Sequence, residues 1–163
     1  MIRDNEIQRL VKYAQGLNTI IKFKEAKSLG EDAAEWTTDG SAITIYRTPS
    51  SSKLSIVLAL IHELGHHLAH IHNNDRKVDP KLEEAIDNEV DKKIYRKRIY
   101  DWEVQGATWW ETIYKDTDCK FNIDRLNQEK QYDLWQYEVY YSTGSYPTNK
   151  ERKKKRKELR KNG

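Results

Sequence analysis

All five histidines of the chain fall within residues 54–72, LSIVLALIHELGHHLAHIH. His62 and His66 stand four apart, with Glu63 beside the first, in the order His-Glu-Leu-Gly-His. On a helix this spacing sets two imidazoles one turn apart on one face, where both can grip a zinc ion, with a carboxylate alongside. The chemistry implied is hydrolysis. Zinc in a hydrolytic site keeps three protein ligands and one position for water, which it acidifies while polarising the scissile carbonyl. Glu63 would take the proton from that water and pass it to the leaving amine. Cys119 is the single cysteine, so the third ligand must be His, Asp or Glu. His67, His70 and His72 lie too close on the same helix to complete a tripod. They are expected to be exposed near its end, with His70 also able to support a ligand from behind. Carboxylates remain. Glu84, with Asp87 one turn on, would sit on a helix running back past His66. Glu103 would sit on a later helix that Gly106 and Ala107 allow to pack closely. Spacing alone leaves both open.

These side chains need elements to carry them. Winding residues 54–72 at about 100° per residue puts Leu54, Val57, Leu58, Ile61, Leu64, Gly65 and Leu68 on one side. His62, Glu63, His66 and His70 fall on the other, so the segment reads as a core helix behind and a metal helix in front. Upstream, Ile7, Leu10, Val11 and Ala14 mark a helix over residues 3–15 that Gly16 closes. Residues 20–24 read as a strand. Residues 34–37 and 42–46 flank Asp39-Gly40, a hairpin signal. Pro49 and Ser50–Ser52 then break the strand and offer N-caps. Downstream, Pro80 opens a helical pattern over residues 80–97, and another runs from about 99 to 114. No Gly or Pro marks a break between them. Residues 123–141 give a further helix, and Thr148 with Glu151 form a capping box for a basic one. The expected fold class is α+β: a small antiparallel sheet packed on a helical, zincin-like metallopeptidase core. Residues 1–147 would form that domain and residues 148–163 a basic C-terminal helix.

Trp102, Trp109, Trp110, Trp135 and the tyrosines between 137 and 141 recur at helical spacing, the pattern of core packing. The 163 residues are enough for one domain with a real core. The net charge of +3 hides an asymmetry: residues 150–163 carry +7, leaving −4 for the rest. Residues 150–161 (KERKKKRKELRK) could meet nucleic-acid phosphates or an acidic partner, although such runs are usually solvated helix ends. The apolar run at residues 54–61 is too short to span a bilayer, and the N-terminus lacks an apolar signal region. The expectation is a cytoplasmic protein with no membrane contact.

His62-Glu63-Leu64-Gly65-His66 followed by Glu103-Val104-Gln105-Gly106-Ala107 resembles the gluzincin peptidases of the ImmA/IrrE-like and HtpX-like kinds. There a downstream helix bears a ligand glutamate in a Glu-x-x-Ala-Asp or Glu-x-x-Ala-Asn pattern. The resemblance implies zinc bound by His62, His66 and Glu103, with Ala107 replacing the usual Asp or Asn. Ser142-Thr143-Gly144-Ser145-Tyr146-Pro147 and Arg152 are similar to the Ser-Thr-His-Pro…Arg segment of HtpX-like enzymes, without its histidine. A protein substrate follows, and for ImmA/IrrE-like relatives a regulator in a phage or mobile-element setting. Two rivals stand beside this reading: a zinc-bearing binding module that no longer cleaves, and a nucleic-acid-binding protein led by the basic tail. Retention of Glu63 weighs against the first, because a structural metal has no need of that carboxylate.

Overall fold

The computed structural model describes residues 4–26, 34–37, 40–73 and 88–162. Helix α1 (Asp4–Gly16) leads into strand β1 (Ile20–Glu25), followed by β2 (Ala34–Trp36) and β3 (Ala42–Arg47). Five further helices follow among the described residues: α2 (Lys53–Asn73), α3 (Glu89–Ala107), α4 (Trp110–Asp116), α5 (Ile123–Thr143) and α6 (Asn149–Lys161). The described fold is mostly helical with one small sheet, an α+β arrangement.

The sheet has the order β1-β3-β2 and is mixed. β2 and β3 form the expected antiparallel hairpin, with Trp36 opposite Ile43, and Gly40 in its turn has φ +74°. β1, however, runs parallel to β3, with Ile20 opposite Ala42 and Phe23 opposite Ile45. The wholly antiparallel sheet expected from sequence is therefore corrected. Only eight residues separate Glu25 from Ala34, so β2 turns back at the end where β1 stops; β3, antiparallel to β2 and inserted between the two, then runs the same way as β1. Ala42, Ile43, Thr44 and Ile45 are all buried, as suits a central strand.

α2 is the spine of the core. Ser52 caps it, its Oγ accepting from the Ser55 amide at 3.0 Å. Val57, Leu60, Ile61 and Leu64 pack against Leu10 and Ala14 of α1 and Ile43 and Ile45 of β3. Trp110 and Ile113 of α4 and Leu126 of α5 close the same cluster. By length and composition α2 could cross a membrane, with mean hydropathy 1.3 over Lys53–His72, yet 61% of that stretch is buried inside the fold. Burial in this core accounts for its apolar character.

Of the expected helix over residues 80–97, residues 80–87 lie outside the described residues; α3 starts at Glu89, with extended Asn88 as its N-cap accepting from the Asp91 amide at 2.9 Å, and runs unbroken to Ala107. The break comes at Thr108-Trp109, where Thr108 Oγ1 donates to the Gln105 carbonyl at 2.7 Å. This local bond competes with the helical ladder and needs neither Gly nor Pro. α6 opens on the expected capping box: Thr148 Oγ1 accepts from the Glu151 amide, and Glu151 Oε2 from the Thr148 amide. It is tied to α5 by two 3.0 Å bonds from Arg156 to the Glu129 carboxylate.

Candidate metal centre and cleft

α2 presents His62 and His66 one turn apart, as their spacing requires, and α3 crosses α2 with Glu103 facing them. The crossing is close because two glycines meet there. A Cβ on Gly106 would fall 2.7 Å from Nδ1 of His66, and a Cβ on Gly65 would strike the Gly106 carbonyl. Without side chains at these positions the helices approach far enough for a carboxylate on one to reach imidazoles on the other. Glu84 and Asp87, the other carboxylates considered, lie outside the described residues.

The three donor atoms form a compact triangle. His62 Nε2 and His66 Nε2 are 3.1 Å apart, and Glu103 Oε2 is 3.4 Å from the first and 3.2 Å from the second. Donors held ~2.0–2.1 Å from a tetrahedral zinc ion stand roughly 3.3–3.4 Å from one another, so these distances fit one face of such a site. The tautomer fits as well. Asp133 on α5 lies 3.2 Å from Nδ1 of His62. A carboxylate only accepts, so Nδ1 carries the proton, and a cation displacing the proton on Nε2 would meet a lone pair aimed at the triangle. Nδ1 of His66 is buried with no hydrogen-bond partner among the described residues. That ring is held by packing instead, stacked on Trp102 with ring centres 3.9 Å apart.

Three carboxylates, Glu63, Glu103 and Asp133, surround the two imidazoles. Burial alone would lower the His62 pKa, but the Asp133 hydrogen bond and the charges of Glu103, Glu63 and Asp133 raise it to about 10. Burial raises Asp133. For Glu103 burial pulls the same way, but the two histidines and hydrogen bonds from His66 and Tyr137 hold it below the ordinary range. Burial foremost, and then Glu103, keeps the Tyr137 hydroxyl protonated far above its usual range. The cluster thus has an excess of negative charge around two lone pairs, the electrostatics of a divalent-cation site.

The triangle opens into a cleft of about 820 Å³. Glu63 lines it beside the donors, although only 9% of the residue is exposed. One wall is the edge strand β2, with Ala34, Glu35 and Trp36; the opposite wall is α5, with Asp133, Gln136 and Tyr137. A second, much smaller hollow lies between α5 and α6, away from the histidines.

His62, Glu63, His66 and Glu103, the residues singled out from sequence, all meet here. Of the other histidines, His67 and His70 depart from the expected exposure and His72 meets it. His67 is buried: Nε2 donates to the Leu17 carbonyl at 2.8 Å, and Nδ1 accepts from the Trp36 indole at 3.3 Å. With both ring nitrogens satisfied, burial costs little. His70 is half-buried against Trp36, and His72 is exposed and stacks on Trp109. Of the aromatic stripe, Trp110 is core, whereas Trp102 faces the donors and lines the cleft. Asp133 and Tyr137 were not singled out as site residues. Their signal was the series Glu129, Asp133, Tyr137, each one turn apart on α5, hidden among the tyrosines that read as packing. The chain has no match among protein-family models, curated proteins or solved structures.

Proposed function

We propose that this chain is a zinc-dependent peptidase that hydrolyses a peptide bond in a protein substrate, in the manner of the gluzincins it resembles in His62–His66 and Glu103–Ala107. The observation that carries the reading is the donor triangle of 3.1, 3.2 and 3.4 Å opening on a cleft that Glu63 also lines. His62, His66 and Glu103 would hold the ion. When bound, zinc supplies Lewis acidity for the scissile carbonyl and lowers the pKa of water. The rest falls to the chain. Glu63 takes the proton from the attacking water and delivers it to the departing amine nitrogen. Asp133 fixes the tautomer and orientation of His62, and Tyr137 hydrogen-bonds Glu103. β2 is an edge strand, so an extended substrate can lie beside it and pair with its backbone.

Glu63→Gln tests this directly. Hydrolysis of a casein-derived peptide mixture should fall by roughly 10²–10⁴-fold while zinc content, read by elemental mass spectrometry, stays at the wild-type level. Unchanged hydrolysis would overturn the mechanism. A wild-type protein that retains no zinc would overturn the assignment as a whole.

A further inference from the structure

The cleft changes electrical character along its length. Near the donors stand Glu63, Glu103 and Asp133; the same cleft is also lined by Arg125 of α5 and by Arg152 and Arg156 of α6. Glu129 is committed to Arg156, in a bidentate pair that also sets the guanidinium 3.7 Å over the Tyr132 ring. Arg125 and Arg152 have no carboxylate partner among the described residues, and Nε of Arg152 is buried without a hydrogen bond. A buried N–H with no acceptor is unfavourable until something supplies one. Two uncompensated guanidinium groups in a concave wall also focus their field on whatever enters. The Arg156–Glu129 fork shows which acceptor matches this geometry, since planar guanidinium and carboxylate pair bidentately.

Distance sets where that acceptor lies on a substrate. Arg125 precedes Asp133 by eight residues on one helix, about 12 Å at ~1.5 Å per residue. Arg152, one turn before the Arg156 that pairs with Glu129, stands nearer to Asp133, which touches His62, so the arginines line the cleft out to about 12 Å from the donor triangle. An extended chain covers that in three or four residues at ~3.3 Å each.

We infer that the cleft selects polypeptides bearing a carboxylate within about four residues of the bond to be cut, gripped by Arg125 and Arg152. This rests on the peptidase reading for the meaning of "cut", but the grip itself is measurable without turnover. Fluorescein-labelled, C-terminally amidated decapeptides with two central Glu residues, or Gln in their place, would be titrated into full-length Glu63→Gln protein by fluorescence anisotropy. A third probe, the Gln peptide with a free C-terminus, separates a side-chain carboxylate from a terminal one. The acidic probe should bind about tenfold more tightly than its Gln counterpart, as expected for one charge-assisted pair. Arg125→Gln with Arg152→Gln should erase the difference, and Arg125→Lys should reduce it with the fold intact. Lys153→Gln, Lys154→Gln and Lys157→Gln together, on the exposed side of α6, should leave it in place. Equal affinity for both probes, or loss of discrimination in the triple Lys153, Lys154 and Lys157 variant, would overturn the inference. In digests of a peptide mixture by the zinc-loaded wild type, Asp or Glu should be enriched within about four residues of the cut. Cleavage without that bias refutes the inference alone. Acidic-probe selectivity with no cleavage of any peptide refutes the peptidase reading and leaves the anionic grip standing.

Discussion

Gly65→Ala is the most informative single change, because its expected sign opposes the usual rule. In a helix interior alanine is ordinarily favoured over glycine by about 0.8–1.0 kcal/mol. Here a Cβ at position 65 would sit inside van der Waals contact of the Gly106 carbonyl oxygen, 3.1 Å from its carbon and 3.0 Å from Cδ1 of Trp110. The first obstacle is backbone, so relief requires α3 to withdraw from α2. Reaching ordinary packing distance demands a shift on the order of 1 Å. Overpacking of this kind costs about 1–3 kcal/mol, so the net change is a loss of roughly 0–2 kcal/mol rather than a gain of about one. The larger effect falls on the metal centre. Glu103 lies one turn before Gly106 on the same helix, and its Oε2 is 3.2 Å from His66 Nε2. Zinc ligands tolerate about 0.2 Å of misplacement, so a shift of this size should weaken zinc by at least tenfold. Urea unfolding of the zinc-free protein and competition against a chromogenic chelator measure the two effects separately. A Gly65→Ala protein that is more stable than wild type and holds zinc as tightly would refute the claim that this crossing sets the site.

Glu103→Ala should strip tightly held zinc, and Asp133→Asn should weaken it by roughly 10–100-fold, as loss of a ligand-orienting partner does; equal zinc affinity in both variants and wild type would count against the donor set. Burial, with the charge and hydrogen bond of Asp116, raises the Tyr13 pKa to about 12. The unfolded chain releases that proton near pH 10, so stability is full below that value and falls as pH rises between about 10 and 12. Urea midpoints across that range should decline less steeply for Tyr13→Phe, and an unchanged slope would exclude the contribution. Arg156→Gln should cost less than about 1 kcal/mol globally, since the pair is partly exposed, yet speed amide exchange in α6; unaltered exchange would show that other contacts hold the helix.

The metal helix was legible in sequence because two patterns coincide in it: apolar residues at core spacing and ligands at metal spacing. Its other side was harder to read. Residue spacing left the third carboxylate open between Glu84 and Glu103, and only resemblance favoured Glu103, whose convergence on the histidines depends on a helix crossing. The hairpin was readable from Asp39-Gly40, a local signal. The parallel pairing of β1 with β3 was not, because a strand's residues encode which faces are buried and not the direction of its neighbour. His67 was misjudged because its partners, the Leu17 carbonyl and Trp36, come from other elements. Asp133 and Tyr137 escaped notice for the same reason: their roles exist only once α5 lies against the donors.

The two hydrogen bonds of His67 join places that have no obvious business with each other. Through one ring, the turn after α1 braces the indole of Trp36, which walls the cleft. Asn18, beside Leu17, sits at φ 58°, a backbone state that a β-branched residue resists. The first helix and its turn are thus a strut under the wall of the cleft. Damage at the amino-terminal end would be felt as a change in the shape of the cleft, well away from any residue that lines it.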